Sequence, residues 1–252
     1  MDKKDIVRKR YSEIASYGCG CCESANIQNT QDVALKLGYS KDDLNAIPEA
    51  SNLGLGCGNP ISIAGIKPGE TILDLGSGAG LDCFFAAKET GPTGRVIGVD
   101  MTTEMIVKAK ENLSKTTFNN IEFRQGEIEK LPVEDNSVDV IISNCVINLC
   151  EDKQQVYNEI FRVLKLNGRI AISDVAKIKE FTPEIFNSKE MLCSCISGAI
   201  TVDQIKQLLK NSGFKDIQVT PKYESKEFIK NWTDKVNIEQ YIISVFVSAK
   251  KN

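Results

Sequence analysis

Apolar and polar positions along the chain switch period in a repeating order. Thr71–Leu75, Arg95–Val99, Ile121–Arg124, Asp139–Ser143 and Arg169–Ser173 hold short apolar runs of strand length. Between them, Leu81–Glu89, Thr103–Ser114 and Gln154–Leu164 carry apolar residues at helical spacing. Strands and helices alternating over short links predict a parallel sheet with helices on both faces and right-handed crossovers. After Asp174 the alternation breaks. Thr182–Gly198 contains Pro183 and a helix-like run through Glu190–Cys195, which makes it an insertion after the fifth strand. Thr201–Gln204 has the pattern of a capped helix start, and that helix should stop at Gly213. Phe214–Thr220 and Tyr241–Ala249 complete seven strands as an expected antiparallel pair.

The first sixty residues follow another pattern. Asp5–Tyr17 reads as an amphipathic helix with Ile6, Tyr11 and Ile14 along one side. Short helices are expected at Thr30–Leu37 and Lys41–Ala46, the latter stopped at Ile47-Pro48. Residues 1–60 should therefore form a helical and loop cap on the ligand edge of the sheet. Residues 61–252 carry the sheet domain, with the insertion at about 175–200. No internal repeat or low-complexity tract appears.

One stretch ties this scheme to a ligand. Thr71–Leu75 ends just before Gly76, Gly78 and Gly80, and helical spacing resumes at Leu81. The glycines let the backbone turn tightly and approach a ligand without a Cβ in the way. In an open α/β sheet, ligands bind at this strand-to-helix edge. The spacing G-x-G-x-G differs from the G-x-G-x-x-G that holds a dinucleotide pyrophosphate. Asp100 closes the next strand, where a ribose diol would be held. These features resemble the class I S-adenosylmethionine-dependent methyltransferases. The resemblance implies a Rossmann-like, mostly parallel seven-stranded sheet. It also implies a cofactor site drawn from Asp74, Gly76, Ser77, Gly78, Gly80, Asp100, Met101 and Asn144. Asp100 would chelate both ribose hydroxyls, and Glu127 or the Ile128 amide would read the adenine amino group.

Composition narrows the chemistry. The 252 residues include 42% apolar and 26% charged positions, ordinary for a folded domain. A net charge of -3 with scattered lysines gives no basic stripe for nucleic acid. No run approaches the ~18 apolar residues of a membrane span, and the charged start of the chain lacks the apolar core of a signal peptide. A cytoplasmic protein is expected, with nothing requiring more than a monomer. Nine cysteines and no histidine are the unusual counts. In a reducing compartment such cysteines are not a disulfide framework. Without histidine there is no imidazole base, and Cys19-x-Cys21-Cys22 and Cys193-x-Cys195 lack zinc spacing. Thiolates favour soft acceptors.

Cys57 lies in the glycine loop Ser51–Pro60, Cys145 follows the fourth strand, and Cys193 and Cys195 lie in the insertion. Three separated segments thus bring thiols to one sheet edge. Cys83 reads as a small core residue, and Cys150 as either packing or a pocket neighbour. Each thiol taken singly could be mere filler, but the set is poorly placed for that.

Gly56–Pro60, Ser143–Asn148 and Cys195–Ile200, set around Asp74–Gly80, resemble the arsenite S-adenosylmethionine methyltransferases from about Tyr17 to about Ile200. The third motif departs in carrying Ser197 where glycine is common. The resemblance implies trivalent arsenic held by Cys57, Cys145 and Cys195, with arsenite and methylated arsenicals as substrates. It implies an N-terminal cysteine (Cys19, Cys21 or Cys22) in disulfide exchange, reset by thioredoxin or glutathione. Two other readings compete: methylation of a small organic acceptor such as a quinone, and a thiol-based arsenic sensor without turnover. The first has no use for three convergent thiols. The second leaves the glycine loop and Asp100 without a role.

Overall fold

The computed structural model describes residues 2–17 and 30–252. Met1 and residues 18–29, including Cys19, Cys21 and Cys22, lie outside the described residues. The sheet is built from β1 (Thr71–Leu75), β2 (Arg95–Asp100), β3 (Ile121–Gln125), β4 (Val138–Asn144), β5 (Leu164–Lys177), β6 (Lys215–Lys222) and β7 (Ile242–Lys250). Their order across it is β3-β2-β1-β4-β5-β7-β6. The first five are parallel, and β7 runs antiparallel between β5 and β6. Order reverses at β1, where the chain leaves β1 for β2 on one side and later returns to β4 on the other. That reversal opens a crevice at the carboxyl ends of β1 and β4.

The pleat explains the apolar pattern, because successive side chains point to opposite faces. Leu73, Leu75, Ile97 and Val99 pack on one face with Val156 and Ile160 of α7 (Lys153–Val163). Ile72, Val96 and Ile142 pack on the other with Phe84 and Phe85 of α5 (Leu81–Thr90) and Ile106 of α6 (Thr103–Leu113). Both faces are covered, so β1 and β4 read as continuous apolar runs.

The cap holds α1 (Lys3–Tyr17), α2 (Thr30–Leu37), α3 (Lys41–Asn45) and the short turn α4 (Ile61–Ala64), which the spacing did not predict. α1 lies against α6 and against α9 (Lys189–Cys193) of the insertion, whose other helix is α8 (Pro183–Asn187). α10 (Val202–Asn211) starts with the expected reciprocal cap between Thr201 and Gln204. A last short helix, α11 (Lys226–Ile229), precedes β7.

β5 departs from the sequence expectation. It is 14 residues long and extends the expected Arg169–Ser173 in both directions. Just before that run the chain passes through a single left-handed residue, Asn167 at φ 66°, a conformation asparagine tolerates. The backbone there keeps bonding to the end of β7, Asn167 N to Lys251 O and Lys251 N to Gly168 O. At the other end, pairing with β7 continues to Lys177 and carries Asp174 one residue past the last pair with β4, Asn144 with Ser173.

Candidate active site

The crevice at the switch point is a cleft enclosing about 1100 Å³, open solvent included. Gly76–Ala79, Asp100 and Met101 line it, together with Lys4, Val7 and Tyr11 of α1. Gly76 is held at φ 68°, and a Cβ there would run into Val146. Glycine is thus required both by the turn and by the close approach of the chain after β4. Ser77 carries one of two buried side-chain polar atoms without a partner among the described residues. Asp100 accepts Gly78 N at 3.0 Å on one oxygen and Thr102 N at 2.8 Å on the other. The Thr102 hydroxyl also bonds this carboxylate, and its two oxygens together still have acceptor capacity to spare.

Three buried carboxylates face this cleft: Asp74, Asp82 and Asp100. Burial raises the pKa of all three, and the charge of Asp82 raises Asp74 further. Buried acids without a cation are costly, so a cationic ligand suits the cleft. S-adenosylmethionine meets every part of this test. Its positive charge offsets the acids, its ribose hydroxyls match the spare lone pairs of Asp100, and Ser77 Oγ awaits a partner. Glu127 is placed differently from the expectation. Its carboxylate pairs with Lys4 at 2.9 Å and Arg8 at 3.0 Å, so Ile128 and Glu129 line the cleft at that turn.

Next to the cleft the thiols converge. Cys145 lines it, while Cys57 and Cys195 are buried behind Cys145 in one apolar cluster with Val175, Ile196 and Ile242. The Cys57 and Cys145 sulfurs and a carboxylate oxygen of Asp174 all lie within 4.8 Å of one another. Cys195 Sγ donates to Cys145 O at 2.6 Å and does not join that mutual set. Cys145 and Cys195 both sit in the left-handed region, at φ 58° and 62°. Such conformations cost about 1–3 kcal/mol and gather at functional sites. Burial, then contact with the Cys195 and Cys57 thiols, pushes Cys145 far above the usual thiol range. Burial also pushes Cys57 up, although contact with Cys145 and Ser173 works against it.

Asn144 joins the two halves of the site. Its Oδ1 accepts Cys57 N at 3.0 Å, and its Nδ2 donates to Gly58 O at 2.8 Å and to Tyr39 Oη at 3.2 Å. Tyr39 in turn donates to Asp82 at 2.6 Å. The thiol loop is therefore tied to the acids of the cleft. Of the remaining cysteines, Cys150 lines the cleft, and Cys83 is core, donating to Asp74 at 3.3 Å. Cys193 packs away from the other thiols against Val7 and Leu192. Tyr39, Asp82 and Asp174 were missed from sequence. Only Asp174 had a visible signal, an acid closing an apolar strand.

Gly198 sets the approach of the Cys195 turn. A Cβ at this position would run into the backbone carbonyl of Asn148. Gly198→Ala should push the turn away and weaken binding of any soft ligand shared by the Cys145 and Cys195 thiols about tenfold or more, with affinity for a ligand of the cleft unchanged because Gly198 does not line it. Paired titrations of arsenite and of S-adenosylhomocysteine check this. Equal losses in both would mean a general collapse instead.

A reversed-order, mostly parallel sheet with a glycine turn and a strand-end acid at its crevice defines a class I S-adenosylmethionine-dependent methyltransferase. A family model described as a methyltransferase domain matches residues 66–213. The chain is 45% identical to an arsenite methyltransferase of Halobacterium salinarum, over 99% of this chain and 67% of that protein. It thus belongs to the arsenite methyltransferase family. A mouse arsenite methyltransferase is 36% identical over 70% of this chain and 49% of its own length, so the chain spans about half of that longer relative. The crystal structure of an arsenic(III) S-adenosylmethionine methyltransferase from Chlamydomonas reinhardtii matches with a TM-score of 0.62 and 30% identity. That match covers 90% of this chain and 74% of the algal one. No helix among the described residues is long and apolar enough to cross a membrane.

Proposed function

We propose that Cys57, Cys145 and Cys195 bind trivalent arsenic beside the cofactor cleft and present it for methylation. The observation that carries this reading is the position of Cys145, whose residue lines the cleft while its thiol neighbours the other two. S-adenosylmethionine, held by Asp100, Ser77 and the Gly76–Gly80 turn, supplies an electrophilic methyl group that the arsenic lone pair can take without a base. The protein's part is alignment, which can be worth ~7–11 kcal/mol.

The raised thiol pKa values fit this substrate. A thiolate is the ligand, yet burial opposes free thiolates here. Arsenite, As(OH)3, removes the difficulty, because each thiol proton leaves with an arsenic hydroxyl as water. The product, arsenic with three thiolates, is neutral and suits an apolar cluster. A divalent cation on the same donors would leave net charge buried.

If arsenic becomes pentavalent on accepting the methyl group, two electrons must restore it. Oxidation of one N-terminal cysteine and one binding cysteine to a disulfide supplies them, and thioredoxin or glutathione reduces that disulfide. The direct test is incubation with cofactor, arsenite and a thiol, followed by chromatography of methylated arsenicals. Absence of methylated arsenic with the cofactor bound would end this reading. For the redox step, changing Cys19, Cys21 and Cys22 together to Ser should cut multiple turnover with thioredoxin to about one turnover. Undiminished turnover would remove those cysteines from the cycle.

A further inference from the structure

The buried hydroxyl of Tyr39 has no part in the chemistry above, yet it is built into the site. The backbone closes α2 through the left-handed Gly38, where Tyr39 N donates to Ala34 O. The ring stacks on Phe85 with centroids 5.2 Å apart. These contacts fix the ring without help from the hydroxyl, which donates to Asp82 Oδ1 at 2.6 Å. Asn144 completes the chain. Its Nδ2 donates to Tyr39 Oη, to Gly58 O and, at 3.4 Å, to the second oxygen of Asp82. Its Oδ1 accepts Cys57 N. One side-chain amide thus holds the backbone of Cys57 and Gly58 by a donor and an acceptor together. A Cβ at Gly56 would run into Asn144, and one at Gly58 into Ser173 Oγ, so the loop is seated closely on both.

We infer that Tyr39 is a positioning residue whose hydroxyl, through Asp82 and Asn144, holds the Cys57 thiol in place for an acceptor that takes three thiols. The inference rests on the arsenic reading of Cys57, Cys145 and Cys195 and adds a determinant of which arsenical is accepted. Without the hydroxyl, the buried Asp82 loses its shortest bond and turns to Asn144 Nδ2. That pull draws the amide away from Gly58 O and loosens the Cys57 loop. Cys145 and Cys195 are held by other bonds, Cys145 N to Ser173 O and the Cys195 thiol to Cys145 O. An acceptor that takes two thiols can therefore do without Cys57, and without Tyr39. Arsenite, As(OH)3, has three hydroxyls to exchange for thiols, whereas methylarsonous acid, CH3As(OH)2, has two.

That difference provides the test. Tyr39→Phe keeps the stacked ring and removes the hydroxyl alone. Arsenite and methylarsonous acid are titrated calorimetrically into the full chain with Cys19, Cys21 and Cys22 changed to Ser, so that those thiols do not compete. Each titration is run with Cys57 present and with Cys57→Ser. Tyr39→Phe should weaken arsenite about tenfold and leave methylarsonous acid within about twofold. Once Cys57→Ser is in place, Tyr39→Phe should cost arsenite nothing more, as a residue acting through Cys57 requires. Equal losses for both arsenicals, no loss for arsenite, or a further loss on top of Cys57→Ser would each overturn the positioning role and leave the thiol site standing. If Cys57→Ser alone fails to separate arsenite from methylarsonous acid, Cys57 is not the third thiol. The arsenic reading then fails at that residue, and the inference with it.

Discussion

Cys145→Ser should abolish methyl transfer to arsenic at every step, a fall of roughly 1000-fold or more, since loss of alignment alone can cost several kcal/mol. Three features place the effect at this thiol. Its residue lines the cofactor cleft, its sulfur neighbours both Cys57 and Cys195, and its backbone already holds the left-handed conformation that aims it. Serine is close in size and faces the same backbone strain, so the fold should survive. Its hydroxyl is a hard donor and a poor match for a soft acceptor. Cofactor affinity should therefore stay within about twofold while arsenite binding collapses, a split that a folding defect would not produce. Cys195→Ser makes the comparison, because it leaves Cys57 and Cys145 as a pair. That variant should retain methylation of an already methylated arsenical, which needs only two thiolates, and lose most activity on arsenite. Chromatography of the arsenic products from both variants, beside cofactor titrations, decides the matter. A fully active Cys145→Ser protein would refute the assignment of the site.

Asp100→Asn is the counterpart on the cofactor side. Each Asp100 oxygen accepts a backbone amide, from Gly78 and from Thr102, and the carboxylate has acceptor capacity left for a ribose hydroxyl. Asparagine replaces one oxygen with a donor, which must then face an N–H of the glycine turn or of the α6 start. The variant loses an acceptor for the ribose and sets two donors against each other. Hydrogen bonds to a charged group are worth about 1.5–3 kcal/mol each, so the cofactor should bind roughly 100-fold more weakly. Arsenite should bind as before, since the Asp100 oxygens bond the Gly78 and Thr102 amides rather than any group of the thiol cluster. Calorimetric titration with S-adenosylhomocysteine, a cofactor analogue without the methyl group, checks the first part, and the fluorescence of the single tryptophan, Trp232, which packs on the thiol cluster, checks the second with arsenite. Unchanged affinity for S-adenosylhomocysteine would displace Asp100 from the ribose site.

The two variants divide the site as the chain builds it. Asp100 and the glycine turn belong to consecutive β-α units, and short-range pattern was enough to place them. Glu127 shows the limit of that reading. It occupies the expected turn after β3, yet two cations from α1, more than a hundred residues away in sequence, draw its carboxylate off. Its neighbours Ile128 and Glu129 meet the cleft instead. Tyr39 and Asp82 were equally out of reach. Their bond spans 43 positions, and nothing in the local pattern of either residue marks it.

The amino-acid order alone determined the sheet, its cofactor edge and the three segments that supply thiols. Alternating hydrophobicity, glycine turns and strand-end acids act over a few residues, so they are written in local sequence. Only the folded chain decided how those segments meet. Cys145 was placed at the cleft with Cys57 and Cys195 behind it, Asp174 was added to the sulfurs, and Glu127 was turned toward α1. Such contacts join residues far apart along the chain. They are fixed by how helices, strands and loops pack against one another, and side-chain period carries no record of that packing.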